Sequence, residues 1–139
     1  MSDKQIYLLD SGHIYMIYEA MVDRFGGEKG YYNETDNRIK SLLALQYPFF
    51  GIDKYPGVFK KAAMLWYFFT KGHCFIDGNK RVGMQAAIVF LEINGYEDKI
   101  DDEEGYLKTV EIAESRVPEE ERDEYINHLA KWLDNRFEK

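Results

Sequence analysis

The chain has 139 residues, 45% of them hydrophobic, and carries a formal net charge of -7, so we expect a single domain with one core over residues 1–139. The acidic balance disfavours nucleic-acid binding, which needs a basic surface, and the sequence has no apolar run long enough to span a bilayer. The polar N-terminus lacks the apolar stretch of a signal peptide, so the expected location is cytoplasmic, without a membrane or nucleic-acid partner.

Apolar periodicity in the first half of the chain predicts two helices. The first covers residues 11–25 and ends at Gly26-Gly27. Residues 28–35 show no helical stripe and predict a turn or a short hairpin. Asp36 is the predicted N-cap of the second helix, which ends before Pro48 because the residue preceding a proline disfavours helical geometry.

Four more helices are predicted in the second half. Pro56 can open the third, since proline fits the first turn of a helix. The fourth covers about residues 79–94 and is apolar nearly all round, which predicts a central position. An aspartate at 101–102 caps the fifth helix, and Pro118 begins the sixth. The expected fold is therefore all-α, a six-helix bundle with a short β-hairpin.

The segment with candidate chemistry is HCFIDGNKR, residues 73–81, between the third and fourth helices. A tight loop there leads into a helix N-terminus, where unpaired N–H groups and the helix dipole favour an anion. Gly78 permits a close approach of the backbone to a ligand. Lys80 and Arg81 place cations where the dipole disfavours them, and a bound polyphosphate would explain this.

Two more side chains in this segment are candidates for catalysis. Asp77 is a hard oxygen donor, and Mg²⁺ is usually held by one or two carboxylates together with substrate phosphates. A histidine can take up a proton near neutral pH, so His73 can act as a base toward a hydroxyl. Taken singly, these residues have ordinary roles as caps, turns or surface charges. Their order indicates phosphoryl-type transfer, which depends mostly on positioning and charge stabilisation.

The same segment resembles the signature of the Fic/Doc superfamily, H-x-F-x-[DE]-[GA]-N-[GK]-R. With a lysine after Asn79, the motif resembles that of the death-on-curing (Doc) branch, whose members are toxins of toxin–antitoxin pairs. The flanking sequences YPGVFKKAAMLWYFF and AAIVFLEINGY are similar to the helices around that signature, as is the opening helix that ends in Gly-Gly. The resemblance covers about residues 6–115.

The resemblance implies a role for each residue of the motif. His73 would be the general base that activates a serine, threonine or tyrosine hydroxyl of a target protein. Asp77 would hold Mg²⁺. Asn79 and Arg81 would bind phosphate oxygens of ATP or another nucleoside triphosphate, together with the backbone from Gly78 to Lys80.

Two further expectations concern the surroundings of the motif. Phe75 would be buried and anchor the loop. The predicted hairpin would be a flap that aligns the target peptide by strand addition, and it would consist of Gly30, Tyr31, Tyr32, Asn33 and Glu34.

Departures from the family pattern bear on the reaction. Fic adenylyltransferases have glycine in place of Lys80 and a second arginine in place of Met84. In the Doc branch these differences accompany a reversed nucleotide that presents its γ-phosphate, although Doc itself has alanine in place of Gly78. The resemblance thus favours phosphoryl transfer, with a translation elongation factor as the substrate class. AMP transfer and a non-catalytic, partner-binding protein are the alternatives.

A built-in inhibitor is not expected. Some Fic proteins carry an inhibitory helix of the form [ST]-x-x-x-E-[GN]. The nearest candidate here is Ser115 to Glu119, and Pro118 interrupts it. The resemblance therefore implies an antitoxin protein supplied in trans.

Overall fold

Helices account for most of residues 5–139, the part of the chain that a computed structural model describes. The predicted all-α class is confirmed for this part of the chain. The six α-helices are α1 (Ser11–Phe25), α2 (Thr35–Leu43), α3 (Val58–Lys71), α4 (Asn79–Ile93), α5 (Asp102–Glu114) and α6 (Arg122–Asp134). Single 3₁₀ turns lie at Ala44–Gln46 and Glu119–Glu121, and the antiparallel strands β1 (Glu97–Asp98) and β2 (Phe137–Glu138) pair near the C-terminus.

Helices α3 and α4 form the centre of the bundle and pack closely against each other. Gly83 makes this possible, because a Cβ atom there would lie 2.2 Å from Thr70 Oγ1 and 2.8 Å from Thr70 N. Helices α1 and α5 pack against α4, and α6 packs against α3. The loop between α3 and α4 therefore starts and ends on the best-buried elements of the fold, which fix its two ends. Among the described helices, none is both long and apolar enough to cross a membrane.

Helices α1 and α5 begin where the sequence predicts, and each start is capped by an aspartate. The Asp10 carboxylate accepts a hydrogen bond from the His13 N–H at 3.1 Å, and the Asp10 N–H donates to His13 Nδ1 at 2.9 Å. This reciprocal pair is a capping box, with histidine in the place usually taken by glutamate or glutamine. At α5, Asp101 caps the helix by accepting from the Glu104 N–H at 3.1 Å.

Three predicted helix starts are corrected by the structure. Pro118 precedes the 3₁₀ turn Glu119–Glu121, and helix α6 begins at Arg122. Helix α2 begins at Thr35, and Asp36 lies inside its first turn, where its carboxylate accepts from the Tyr15 hydroxyl at 3.0 Å. Helix α3 begins at Val58, because Gly57 has a φ of 88°, outside the helical region. The predictions relied on a local cap signal at Asp36 and on Pro56. The Tyr15 contact of Asp36 and the backbone conformation of Gly57 are not visible in the local sequence.

Antiparallel pairing does not occur where the sequence predicts the hairpin, within residues 30–34. Tyr31 instead forms a single antiparallel bridge with Phe75 of the α3–α4 loop. The reason is that the buried Phe75 ring and the Tyr18 hydroxyl offer this segment better partners than it could find within itself. The two-stranded sheet of the fold joins β1 to β2.

Candidate active site

The α3–α4 loop lines a groove of about 690 Å³, a volume common for small-molecule sites. Its other walls come from the end of α1 and from α5, through Phe25, Gly27 and Tyr106. The groove brings together the predicted catalytic, metal and phosphate residues, namely His73, Asp77, Gly78, Asn79, Lys80 and Arg81.

Two side chains of α2 hold the main chain at the start of the loop. Arg38 Nη1 donates a hydrogen bond to the His73 carbonyl at 2.6 Å, and Thr35 Oγ1 donates to the Cys74 carbonyl, also at 2.6 Å. His73 has a φ of 50°, a left-handed conformation that is uncommon for residues other than glycine and persists only when its surroundings impose it. The bond from Arg38 is such a restraint, and the imidazole is left exposed at the groove.

The middle of the loop is anchored by Phe75, whose predicted burial is confirmed. Its ring is 0% exposed and stacks on the Tyr18 ring with 3.9 Å between centroids. The Asn79 side chain clamps the Phe75 backbone on both sides, because Oδ1 accepts from the Phe75 N–H at 3.1 Å and Nδ2 donates to the Phe75 carbonyl at 2.8 Å. Asn79 thus holds the shape of the loop, and its contact with phosphate stays a prediction.

The Asp77 carboxylate is exposed and oriented by two backbone donors. The Glu28 N–H donates to Oδ2 at 3.1 Å, and the Gly78 N–H donates to Oδ1 at 2.8 Å. These bonds, that from Glu28 first, lower the pKa of Asp77 and keep it ionised. Gly27 lies so close that a Cβ there would be 3.0 Å from Oδ2.

The donor set around Asp77 fits an ion that is shared with a ligand. Residues 5–139 contain no group of three histidine, cysteine or carboxylate side chains that could form a closed metal site. Mg²⁺ commonly takes one protein carboxylate and completes its octahedral shell with water and substrate phosphate. Asp77 is thus suited to hold Mg²⁺ together with a polyphosphate.

The first turn of α4 is open to an anion. Gly78 adopts the left-handed conformation at the N-cap, no side chain caps the helix, and its first backbone bond runs from the Val82 N–H to the Gly78 carbonyl. The N–H groups of residues 79–81 therefore have no partner within the helix. Lys80 is exposed beside them, and the Arg81 guanidinium lies against the Phe25 ring.

The predicted flap is attached to the loop along one edge. Gly30 donates from its N–H to the Tyr18 hydroxyl at 2.7 Å and accepts from the Ile76 N–H at 3.3 Å. In an antiparallel bridge of this type the N–H and C=O of the central residue, Tyr31, point away from the bridging strand. Among the described residues, neither group has a hydrogen-bond partner, so the flap segment presents one open edge beside the α3–α4 loop.

Sequence reasoning missed several residues that support the site. Thr35 and Arg38 carry no motif, and their distance from the loop along the chain hides their role. Tyr18 lies on the apolar stripe of α1 and looks like an ordinary core residue. Phe25 and Tyr106 flank the predicted phosphate site from two different helices, and only tertiary packing shows this.

The fold and the groove define an all-helical domain in which a histidine, a carboxylate and an uncapped helix N-terminus meet. Comparison with known families agrees: the model of the Fic/DOC family matches residues 8–91, and the chain belongs to this family. It is also 46% identical over 46 residues to the protein named Toxin Doc of Mycolicibacterium smegmatis. That match covers 33% of this chain and 35% of the relative, so it spans about a third of the relative's length.

The clamp on the Phe75 backbone generates a testable prediction. Asn79→Ala leaves the buried Phe75 N–H and C=O without partners, and we expect a loss of about 1–3 kcal/mol in the free energy of unfolding. Asn79→Asp keeps the acceptor but not the donor, so its free energy of unfolding should lie between those of wild type and Asn79→Ala. Chemical denaturation gives the stabilities, and amide hydrogen exchange should be faster across the loop. Asn37→Ala, an exposed site on α2, is the control, and an equal effect at both positions would show that the clamp contributes nothing.

Proposed function

We propose that this chain is a Doc-type toxin that transfers the γ-phosphoryl group of ATP to a serine, threonine or tyrosine hydroxyl of a target protein. The observation that carries the proposal is the exposed His73 imidazole beside the uncapped N-terminus of α4. Family membership supports it, because Fic/DOC proteins are generally nucleotide-dependent, protein-modifying transferases. The similarity to a protein named Toxin Doc supports the toxin class.

The proposed reaction uses the groups at the groove in a direct way. The target hydroxyl oxygen forms a bond to the γ-phosphorus while the bond from that phosphorus to the β–γ bridging oxygen breaks. ADP leaves, and the hydroxyl proton goes to the His73 imidazole. The open N–H groups of residues 79–81 and the Arg81 guanidinium stabilise charge on the phosphate oxygens. Asp77 would hold Mg²⁺, which neutralises phosphate charge when bound.

Two positions favour phosphoryl transfer over AMP transfer. Lys80 adds bulk and a point charge at the groove, where Fic adenylyltransferases have glycine. Met84 replaces their second arginine, and its side chain packs on α5, since a Cβ on Gly105 would lie 2.6 Å from Met84 Cε. The groove therefore lacks a guanidinium at that position to clamp the far phosphates of the nucleotide.

The flap segment supports a peptide substrate. The unpaired N–H and C=O of Tyr31 can pair with an extended target strand, which places a hydroxyl side chain near His73. We propose residues 30–34 as this docking edge and a translation elongation factor as the substrate class. We also propose an antitoxin in trans. Helix α5 ends at Glu114, and residues 115–118, where the inhibitory helix of some Fic proteins would begin, are not helical.

The phosphoryl assignment is tested with labelled ATP. Label on the γ-phosphate should appear on the target protein, and label on the α-phosphate should not. The reason is that Lys80 and Met84 favour a nucleotide with its terminal phosphate near His73. Intact-mass spectrometry of the target separates the two products, because an adenylyl adduct is far heavier than a phosphoryl one. His73→Ala is the control and should abolish labelling.

Each other outcome selects one of the alternatives. An adenylyl adduct that depends on His73 would replace the kinase assignment with AMP transfer. Wild-type protein that binds a partner without modifying it would favour the non-catalytic alternative.

The toxin assignment is tested by growth. Expression of the wild-type chain without an antitoxin should slow bacterial growth, and His73→Ala should relieve the arrest because the base is lost while the fold is kept. The colony count after induction is the measurement, with equal expression checked by immunoblot. Equal arrest by wild type and His73→Ala would show that toxicity does not come from catalysis.

A further inference from the structure

The Arg81 guanidinium lies against two aromatic rings. Its central carbon is 3.6 Å from the centroid of the Phe25 ring and 4.5 Å from that of Tyr106. Phe25 is the last residue of α1 and Tyr106 belongs to α5. The rings thus reach the start of α4 from two separate helices, and both line the groove that contains His73 and Asp77.

These contacts leave the hydrogen-bond donors of the guanidinium without an acceptor. A guanidinium donates hydrogen bonds in its own plane, through five N–H groups arranged as a fork. An aromatic ring attracts the cation through the face of the ring. Within residues 5–139, the guanidinium has no hydrogen-bond acceptor and no carboxylate partner, and these two rings lie against it. The position of the group is therefore held while its donors stay available.

The rings also offset an electrostatic cost. Arg81 stands in the first turn of α4, where the helix dipole repels a cation. The negative face of an aromatic quadrupole compensates part of that repulsion without neutralising the charge. Phe25 is 46% exposed, so packing in the core does not explain an aromatic residue at this position.

The end of α1 holds two groups of the site at once. Directly after Phe25, Gly26 and Gly27 have φ angles of 79° and 111°, and the turn that they form brings the Glu28 N–H within 3.1 Å of Asp77 Oδ2. The end of α1 and the turn after it therefore contact both groups. The Glu28 backbone N–H orients Asp77, the candidate metal ligand, and the Phe25 ring lies against Arg81.

The geometry points to Phe25 and Tyr106 as positioning residues: they form an aromatic clamp that fixes the position of the Arg81 guanidinium for a polyphosphate. This inference rests on the proposed function, because the ligand is the polyphosphate of a nucleoside triphosphate. The clamp acts through Arg81 and makes no contact with the reacting atoms.

The test compares variants that remove a ring with variants that keep it. Phe25→Leu and Tyr106→Leu keep apolar bulk without an aromatic face, and Phe25→Tyr and Tyr106→Phe are the matched controls. Calorimetry measures the affinity for ATP with Mg²⁺ and, in parallel, for inorganic tripolyphosphate. We expect each leucine variant to weaken binding by about two- to thirtyfold, the range from an exposed to a desolvated cation–π contact, and the controls to bind like wild type.

A second background shows whether the rings act through Arg81. In Arg81→Ala, the leucine substitutions should cause no further loss, because the interaction that they remove is already absent. A loss that persists in that background, for example through Arg24, which lies 5.1 Å from the Phe25 ring centroid, would overturn the clamp. Wild-type affinity in the leucine variants would overturn it as well.

A spectroscopic readout separates failure of the clamp from failure of the proposed function. The Arg81 Nε–H resonance should carry a ring-current shift in wild type and both aromatic controls and lose it in the leucine variants. If wild type binds neither ATP nor tripolyphosphate, the proposed function falls and the clamp loses its ligand, whatever the resonance shows. If wild type binds ATP and the resonance is unshifted, the clamp falls and the proposed function stands. Thermal unfolding confirms that each variant is folded.

Discussion

The candidate site depends on the hydrogen bonds that side chains make to the main chain of the α3–α4 loop. Arg38, Thr35 and Asn79 donate to the carbonyls of three successive residues, 73, 74 and 75. Because a loop of this length has little hydrogen bonding of its own, these three donors fix its path. They hold His73 in a left-handed backbone conformation and set the end of the loop where α4 can begin without a side-chain cap.

This restraint links distant parts of the chain to the chemistry. Helix α2 supplies no residue that lines the groove, yet it carries Thr35 and Arg38. Helix α1 supplies Tyr18 beneath the Phe75 ring and, at its end, the turn that reaches Asp77. The close α3–α4 contact at Gly83 then sets the distance between the two ends of the loop. The uncapped helix start is therefore a consequence of tertiary restraint, and it leaves three N–H groups for an anion.

Much of this could be predicted from the sequence, for physical reasons. The apolar stripes of α1 and α4 and the aspartate cap of α5 at Asp101 are local signals, and they predict these helices. The order of residues in HCFIDGNKR gave the candidate site. The sequence could not show that Tyr31 bridges Phe75 and not its own neighbours, or that Asp36 bonds Tyr15, because those partners are brought close only by packing. The aromatic contacts of Arg81 were hidden for the same reason.

In the proposed function, the start of α4 binds the phosphates of a nucleotide in a preformed loop. The direct measurement is a titration of ¹⁵N-labelled protein with ATP and Mg²⁺, followed at each backbone amide. We expect the largest shifts at Asn79, Lys80 and Arg81, and little change at Phe75, whose N–H is already bonded to Asn79. Saturable shifts centred away from this helix start, with these three amides unmoved, would contradict it.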